Sequence, residues 1–248
     1  MDLGFEGKVA LVTGAASQIG YGKEIALLLA REGCRVVVAD IDPKGSAQTV
    51  EQIESMGREA IAVETDVTDP TAVDALVAAA LERFGCIDIL INNAGGVVGG
   101  KPFLEMTKDE CAFNMEVNLY GQMNVCRAVI PGMVARRYGR VVSISGGQGL
   151  MYLSAYGASK AAIEAFTHSL AGEVAQFGVI VNGVHPGLSE TKLTLTTPRE
   201  VLEMNAQMSA LKRLCTAQDV APLVAFLASD LCSYMVGQFV HMDTFVGV

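Results

Sequence analysis

The sequence has little positive charge. Of its 248 residues, 18 are lysine or arginine and 27 are aspartate or glutamate, so the formal net charge is −9 at pH 7. No cluster of basic residues interrupts this acidic balance. Nucleic acids and anionic membranes are bound through such clusters, so neither is an expected partner.

Long apolar runs are also missing. No run reaches the roughly 18 consecutive apolar residues that a membrane-spanning helix requires. The first residues, MDLGFEGKVALVTG, carry acids where a secretory signal would carry basic residues. We therefore predict that the protein works in the cytoplasm.

The cysteines and histidines show no metal-binding spacing. Six cysteines are dispersed along the chain without a Cys-x-x-Cys pair, so buried, reduced thiols are expected. A zinc site formed from His168, His185 and His241 is possible in three dimensions. Because nothing in their spacing indicates such a site, no metal is predicted.

Short apolar segments alternate with amphipathic segments of helical periodicity. The short ones are rich in valine and isoleucine and nearly continuous in apolarity, as strands buried on both faces are. The predicted strands are 8–13, 35–40, 60–64, 87–92, 140–145, 179–184 and 238–241. The predicted helices are 24–31, 45–56, 72–84, 108–137, 155–177 and 218–229. This alternation predicts an α/β fold, a parallel sheet with helices on both faces.

No linker, repeat or low-complexity tract divides the chain, so we predict one domain over residues 1–248. Residues 187–214 interrupt the alternation and mix leucine and methionine with many threonines and serines. Two interpretations remain open for this segment, a surface helix or a mobile flap that covers a substrate pocket.

A glycine-containing turn, TGAASQIG (13–20), follows the first predicted strand and precedes a helix. Glycines at such a turn let the backbone approach a pyrophosphate, and the helix N-terminus supplies free N–H groups. We predict that this turn binds a dinucleotide through Gly14, Ser17, Gln18, Ile19 and Gly20.

Asp40 ends the second predicted strand, twenty residues after Gly20. An acid at this point accepts hydrogen bonds from a ribose 2′-OH and repels a 2′-phosphate. Asp42 adds negative charge, and the glycine turn has no arginine or lysine to offset it. The predicted cofactor is therefore NAD rather than NADP. The alternative is that Asp40 only caps the next helix.

Tyr156 and Lys160 are four residues apart in a predicted helix, so they share one face. A free tyrosine has a pKa of roughly 10. A lysine ammonium one turn away, together with the positive charge of an oxidised nicotinamide, is expected to lower that pKa. Tyr156 is therefore the candidate general acid/base.

Taken together, the motifs resemble those of the short-chain dehydrogenase/reductase family. They are Thr13-Gly14…Ile19-Gly20, Asp66-Val67, Asn92-Asn93-Ala94-Gly95, Asn118 within VNLYG, Tyr156…Lys160, and Asn182…Pro186-Gly187…Thr191. The set covers essentially the whole chain in a fixed order. The resemblance implies a single Rossmann-type, doubly wound sheet of about seven strands. It also implies an NAD-dependent oxidoreductase acting on a secondary alcohol or its ketone, assembled as a homotetramer or homodimer.

The resemblance also implies roles for individual residues. The adenine and its ribose would contact Asp66, Val67, Asn93 and Ala94. Leu188 and Thr191 would close over the nicotinamide carboxamide, and Lys160 would hold the nicotinamide ribose. Asn118 would perturb its helix and anchor a water that links the lysine to solvent.

Three positions compete for the serine that this family places after the fifth strand. Read forward from the strand, VVSISGG puts Gly146 at the serine position and Ser145 one place before it. Counting back thirteen residues from Tyr156 gives Ser143 instead, which indicates a shortened loop. We take Ser145 as the assisting hydroxyl. Ser143, or loss of the hydroxyl at Gly146, remains open.

Two other departures from the family pattern affect the expectations. Gln18 takes the place of a glycine, so either its side chain points outward or the turn differs and Gly22 contributes. Weaker or altered cofactor contacts are expected in either case. Thr244-Phe245 replaces a Gly-Gly pair near the C-terminus, which would alter subunit packing.

Val97, Val98 and residues 151–153, with the apolar residues of 187–214, predict a pocket for an apolar or cyclic substrate. The alternative for each of them is an ordinary core or subunit contact. Two other functions remain open. One is a catalytically weak NAD-binding sensor or assembly subunit, which Gly146 and Gln18 favour. The other keeps the fold and cofactor but carries out epimerisation or elimination.

Overall fold

The computed structural model describes residues 2–191, 194 and 197–242. Within them, seven parallel strands form one sheet in the order β3-β2-β1-β4-β5-β6-β7. The strands are β1 (Val9–Thr13), β2 (Arg35–Asp40), β3 (Ala60–Glu64), β4 (Ile89–Asn92), β5 (Gly139–Ile144), β6 (Val179–His185) and β7 (Phe239–His241). All seven predicted strands are confirmed, with bounds that shift by one or two residues.

The same part of the chain forms eight α-helices. They are α1 (Tyr21–Arg31), α2 (Pro43–Ser55), α3 (Pro70–Phe84), α4 (Lys108–Met115), α5 (Gly121–Arg136), α6 (Ser154–Val174), α7 (Arg199–Met208) and α8 (Ala217–Ala228). A π-helical turn, Glu116–Tyr120, joins α4 to α5, so the predicted helix 108–137 is continuous but locally widened. Helix α7 lies in the segment 187–214.

The helices cover both faces of the sheet, as predicted. Side chains alternate along each strand, so Ala10 and Val12 face one layer while Val9 and Leu11 face the other. Helices α1, α2 and α8 pack on the first face, and α3, α5 and α6 pack on the second. Burying a side chain such as Val12 or Leu11 contributes about 1.5–3 kcal/mol to the free energy of unfolding. Because all seven strands are parallel, their carboxyl ends lie at one edge of the sheet.

The helix N-termini differ in how they are capped. Asp42 and Asp69 cap α2 and α3 ahead of a proline, and Thr107 and Thr216 form capping boxes at α4 and α8. Helix α1 instead follows Gly20, which offers no side-chain cap. Its first N–H groups are thus left for another partner.

No helix in the described ranges is long and apolar enough to span a bilayer.

Candidate active site

The turn between β1 and α1 depends on two glycines. Gly14 has a φ of +68°, and a Cβ there would lie 2.7 Å from Ala94 Cα. A Cβ on Gly22 would lie 2.3 Å from the Gly14 oxygen, so α1 passes β1 too closely for any side chain. Gly14 and Gly22 are therefore the two positions at which this turn leaves no room for a side chain. Of the two alternatives raised for this turn, the one in which Gly22 contributes fits the geometry.

Gln18 is directed to helix α2. Its Nε2 donates to the Ala16 oxygen at 2.9 Å and to the Gly45 oxygen at 3.3 Å, and its Oε1 accepts from Gln52 at 3.0 Å. The side chain is exposed. Because Gly22 makes the close approach, the backbone can pass close to β1 although Gln18 carries a side chain.

Asp40 lies at the end of β2 beside the glycine turn. Its Oδ2 accepts from the Ala16 N–H at 3.0 Å, and its Oδ1 accepts from the Asp42 N–H at 3.1 Å. The cap of α2 is Asp42, whose carboxylate accepts from Lys44 and Gly45. The alternative that Asp40 caps the helix is therefore wrong, and its carboxylate faces the turn.

The residues expected to hold adenosine lie along the same edge. Asn93 donates from Nδ2 to the Thr13 and Gly14 oxygens, at 2.9 and 2.8 Å, and thus ties the loop after β4 to the glycine turn. The Ala94 N–H donates to Thr13 Oγ1 at 3.0 Å. Val67 is buried, and the exposed Asp66 accepts from the backbone and hydroxyl of its neighbour Thr68.

Asn118 sits in the π-helical turn and is fully buried. Its Nδ2 donates to the oxygens of Gly96 and Asn114 at 2.8 and 2.9 Å, and its Oδ1 accepts from the Gly96 N–H at 3.0 Å. The helix is widened at this residue, as the resemblance implies, and the role of Asn118 in that widening stays a prediction. A Cβ on Gly95 would lie 2.8 Å from Asn118 Oδ1 and 3.3 Å from Lys160 Nζ, so only glycine leaves this approach open.

Tyr156 and Lys160 occupy one face of α6, as predicted. Lys160 is 4% exposed, and its Nζ donates to the Ile144 oxygen at 3.1 Å and lies 5.8 Å from the Tyr156 ring centroid. Burial lowers the pKa of Lys160 to about 8 and raises the pKa of Tyr156 to about 12. The expected lowering of the tyrosine pKa is wrong for the chain by itself, because desolvation outweighs a lysine charge at this separation.

The serine candidates differ in their surroundings. Ser145 Oγ lies 2.9 Å from Glu164 Oε1 and 3.0 Å from the Lys160 backbone oxygen, and it accepts from Gln148 Nε2 at 2.8 Å. Ser143 is buried within β5, paired in register with Asn92. The Ser145 hydroxyl is thus already bonded within the protein.

The loop after β5 brings backbone, not a side chain, to the tyrosine. Gly146 and Gly147 have φ angles of +120° and +82°. A Cβ on Gly147 would lie 2.6 Å from Tyr156 Cε1. The loop therefore packs Gly147 directly against the ring of Tyr156, whereas Gly146 lies against Pro186.

One contact in this region has no counterpart among the sequence predictions. The Tyr21 hydroxyl donates to Ser189 Oγ at 2.5 Å and links the glycine turn to the segment after β6. Burial raises the pKa of Tyr21 above its ordinary value. The sequence feature that could have pointed to this contact is the aromatic residue, Tyr21, between Gly20 and Gly22.

The described part of segment 187–214 docks on the start of α8. The Leu188 oxygen accepts from the Cys215 N–H at 2.9 Å, and the Thr191 N–H donates to Thr194 Oγ1 at 2.8 Å. Leu193 and Leu195, two residues of this segment expected to contribute to the substrate pocket, lie outside the described residues. The Thr244-Phe245 pair, which replaces the Gly-Gly of the family pattern, also lies outside them.

A cavity of about 590 Å³ opens where the glycine turn, α7 and the start of α8 meet. Its wall includes Ile19, Gly20, Leu202 and the charged residues Lys23, Glu24, Glu190, Arg199, Glu203 and Arg213. Leu202 and Leu214, two apolar residues of 187–214, line it, whereas Val97, Val98 and residues 151–153 do not, and Met151 and Tyr152 are 76% and 53% exposed. The wall therefore combines part of the predicted apolar surface with charged side chains that the sequence analysis did not assign to it.

The residues present fit a dinucleotide. Gly14 and Gly22 leave no room for side chains where the backbone must come close, and the N-terminus of α1 is uncapped toward the cavity. Asp40 stands at the end of the neighbouring strand. These features are the ones that a pyrophosphate and a ribose diol require.

Comparison with known proteins agrees with this geometry. Residues 14–244 match the family model described as Enoyl-(Acyl carrier protein) reductase. The chain is 40% identical to the oxidoreductase UcpA of Escherichia coli (strain K12), over 93% of this chain and 91% of UcpA. It is 36% identical to the 3-oxoacyl-(acyl-carrier-protein) reductase FabG of Vibrio cholerae serotype O1, over 97% and 98% of the two chains.

Among solved structures, L-sorbose reductase from Gluconobacter frateurii, complexed with NADPH and L-sorbose, superposes with a TM-score of 0.91 at 30% identity and covers all of both chains. The fold and site define a Rossmann-type oxidoreductase. The chain belongs to the short-chain dehydrogenase/reductase family.

Proposed function

We propose that the protein is an NAD-dependent oxidoreductase that interconverts a secondary alcohol and a ketone, with Tyr156 as general acid/base. The observation that carries the proposal is the alignment of Tyr156 with the buried Lys160 on α6, beside Asn118 and across from the glycine turn. A surface Tyr/Lys pair would need neither the buried ammonium nor a glycine, Gly147, packed against the tyrosine ring.

The nicotinamide supplies or accepts the hydride when the cofactor is bound. Tyr156 donates its proton to the substrate oxygen in reduction and removes it in oxidation. Lys160 stabilises the phenolate and holds the nicotinamide ribose. Asn118, fixed by four backbone and side-chain partners, supports the relay by which the lysine exchanges protons with solvent.

The preference for NAD is supported by the Asp40 carboxylate beside the glycine turn. L-sorbose reductase carries NADPH in its solved complex, so the fold by itself does not select NAD. The contacts proposed for the cofactor comprise Gly14, Ser17, Gln18 (through its backbone, because its side chain is bonded to α2), Ile19, Gly20, Asp40, Asp66, Val67, Asn93, Ala94, Tyr156, Lys160, Leu188 and Thr191. Gly22 is added because no side chain fits there.

Ser145 is proposed to assist Tyr156 by a rotation of its hydroxyl from Glu164 toward the substrate oxygen. That rotation would give up the bond to Glu164 that the structure shows. Gly146 offers no hydroxyl in its place. This arrangement also favours the second candidate function, a catalytically weak NAD-binding sensor or assembly subunit.

We further propose that the chain works as one dinucleotide-binding and catalytic unit in the cytoplasm, assembled as a homotetramer or homodimer. Residues 187–214 would cover the substrate, which is proposed to be apolar or cyclic. The Tyr21–Ser189 hydrogen bond supports a segment that closes on the glycine turn.

The test is NADH absorbance with a panel of cyclic and aryl-alkyl alcohols and ketones, run on wild type, Tyr156→Phe and Ser145→Ala. Turnover that disappears in Tyr156→Phe, with NADH binding retained, would establish the enzyme. A loss of about a hundredfold in Ser145→Ala would assign the assisting hydroxyl. NADH binding without turnover on any substrate would favour the sensor or subunit instead.

A further inference from the structure

Three potential metal ligands from distant parts of the sequence meet beside the proposed active site. They are Glu164 on α6, His185 at the end of β6 and His241 at the end of β7. Each offers one ligand atom, and the three atoms all lie within 4.8 Å of one another. The two histidines have no part in the proton or hydride chemistry proposed above, and Glu164 enters it only as the present partner of the Ser145 hydroxyl.

The sheet brings the two histidines together. Strands β6 and β7 pair in parallel with His185 opposite His241, so both side chains leave the sheet on the same face. Their ring centroids are 4.5 Å apart, with the planes tilted by 31°. This pairing is built into the register of two hydrogen-bonded strands, so the relative position of the two imidazoles is set by the backbone.

Helix α6 supplies the carboxylate. Glu164 is one turn beyond Lys160 on the face that also carries Tyr156. Its Oε1 lies 3.3 Å from His185 Nδ1. The same oxygen lies 2.9 Å from Ser145 Oγ and accepts from Gln148 Nε2 at 2.5 Å. These bonds orient the carboxylate toward the histidines, as outer-sphere partners orient metal ligands in known sites.

We propose that Glu164, His185 and His241 bind a divalent transition-metal ion such as Zn²⁺, with water as the fourth ligand. Two imidazoles and one carboxylate form a common three-ligand set for zinc. Zn–N and Zn–O bonds of about 2.0–2.2 Å require the ligand atoms to draw together by about 1 Å. The exposed ring of His241 can make that movement, and it leaves an entry path for the ion.

The site would join α6, β6 and β7 immediately before Pro186-Gly187, where the segment 187–214 begins. An ion that binds only the folded chain stabilises it by mass action. At a hundredfold excess over its Kd, Zn²⁺ is expected to raise the Tm by about 5 °C or more.

The test uses the full chain, freed of metal by a chelator and then dialysed. Co²⁺ is titrated with visible absorption as the readout, and Zn²⁺ is titrated by calorimetry. We expect one ion per chain with a Kd in the micromolar range or tighter, and d–d bands of a four-coordinate Co²⁺ site. Thiolate charge-transfer bands should be absent, because no cysteine belongs to the set.

The variants are His241→Ala and Glu164→Gln, both at positions that are not fully buried. Each is expected to weaken Co²⁺ and Zn²⁺ binding by at least about tenfold to a hundredfold and to abolish the rise in Tm. The matched control is His168→Ala, which removes the remaining histidine, on α6 but bonded to the Gly237 oxygen. Cys215→Ser controls for a partly exposed thiol.

Three results would overturn the proposal. One is the absence of saturable binding at one ion per chain. Another is equal affinity in wild type, His241→Ala and Glu164→Gln. The third is a thiolate band that Cys215→Ser removes, which would place the ion elsewhere. Circular dichroism and NADH binding confirm that each variant is folded, and neither readout depends on turnover.

Discussion

The end of the sheet where its parallel strands begin, the amino edge, and the end where they finish, the carboxyl edge, are built in opposite ways. At the amino edge, Asp230 accepts hydrogen bonds from Lys8, Tyr138 and Arg140, at 2.6, 2.9 and 3.2 Å. The guanidinium of Arg140 is 8% exposed and also lies 4.8 Å from the Tyr138 ring. At the carboxyl edge, the buried Lys160 donates to a backbone oxygen, and Gly147, which has a positive φ, packs against the ring of Tyr156.

The difference shows how one fold separates stability from chemistry. A buried cation paired with a carboxylate keeps its charge and holds elements together. A buried cation bonded to a neutral carbonyl has its pKa lowered, as that of Lys160 is, to about 8. Such a group can exchange a proton near neutral pH, which the amino-edge cluster cannot do.

The largest effect is expected at the carboxyl edge, in Lys160→Met. Removing the ammonium leaves the Tyr156 phenolate without a counter-charge, so kcat/KM should fall by at least about a hundredfold. Steady-state kinetics with NAD measure the change, and Lys108→Met, at an exposed position of α4, is the control. Wild-type kinetics in Lys160→Met would contradict the proposed role.

Asp40→Ser should change the choice of dinucleotide. The carboxylate repels a 2′-phosphate at a cost of several kcal/mol, so the kcat/KM ratio of NADP to NAD should rise by about a hundredfold. Asp42→Ser is the matched control, because it alters the cap of α2 and leaves Asp40 in place. An unchanged NADP-to-NAD ratio in Asp40→Ser would show that Asp40 does not determine the preference for NAD.

The pH dependence should differ between the two directions of the reaction. Burial raises the pKa of Tyr156 to about 12, so the phenolate fraction needed for alcohol oxidation grows about tenfold per pH unit below that value. The pKa of Lys160 is about 8, so above that pH the supporting charge is lost and the rise should flatten. Ketone reduction uses the protonated phenol and should change little. Oxidation rates that are independent of pH below 8 would contradict this assignment.

Asp230→Ala should lower the stability of the fold, because it removes the carboxylate of the amino edge, and should leave kcat/KM unchanged. It leaves the buried guanidinium of Arg140 without its carboxylate, but Asp230 is itself 47% exposed, so we expect a loss of about 2 kcal/mol. Thermal unfolding should show a fall in Tm of about 4–8 °C with kcat/KM unchanged. Arg199→Ala, which removes an exposed i,i+4 pair, is the control and should change the Tm by about 1 °C or less.

The smallest effect is expected for Gln18→Gly in the glycine turn. The side chain is bonded to α2, and Gly22 makes the close approach to β1. The Kd for NADH should therefore change by less than about threefold, because the hydrogen bonds that are lost join the turn to α2 and do not involve the cofactor. Fluorescence titration measures the Kd, and a tenfold change in either direction would show that the Gln18 side chain contacts the cofactor.

Local patterns were sufficient for the strands and for the Tyr156–Lys160 pair. Strand and helix periodicities are short-range properties, and the i,i+4 spacing places two side chains on one face whatever the surroundings. The glycine turn was recognised at Gly14 and Gly20, but Gly22 was only an alternative. Its requirement comes from the distance between α1 and β1, which no local pattern contains.

The Glu164–His185–His241 cluster was not predicted, although a partial signal was present. Glu164 follows Lys160 by four residues, and His185 and His241 each end a strand at the carboxyl edge. Their proximity depends on β6 and β7 being neighbours in register, and that pairing is decided by the packing of the sheet. The hydrogen bond between Ser145 and Glu164 likewise depends on tertiary packing, that of α6 against the end of β5.

The sequence by itself determined the alternation of strands and helices, the carboxylate at the end of β2, and the tyrosine and lysine on one helical face. These follow from backbone periodicity and side-chain chemistry within a few residues. Only the tertiary structure decided the pKa values of Tyr156 and Lys160, the partner of the Ser145 hydroxyl and the meeting of two histidines with a glutamate. Burial and contact between distant segments arise when the whole sheet closes, because desolvation and distance are properties of the packed chain.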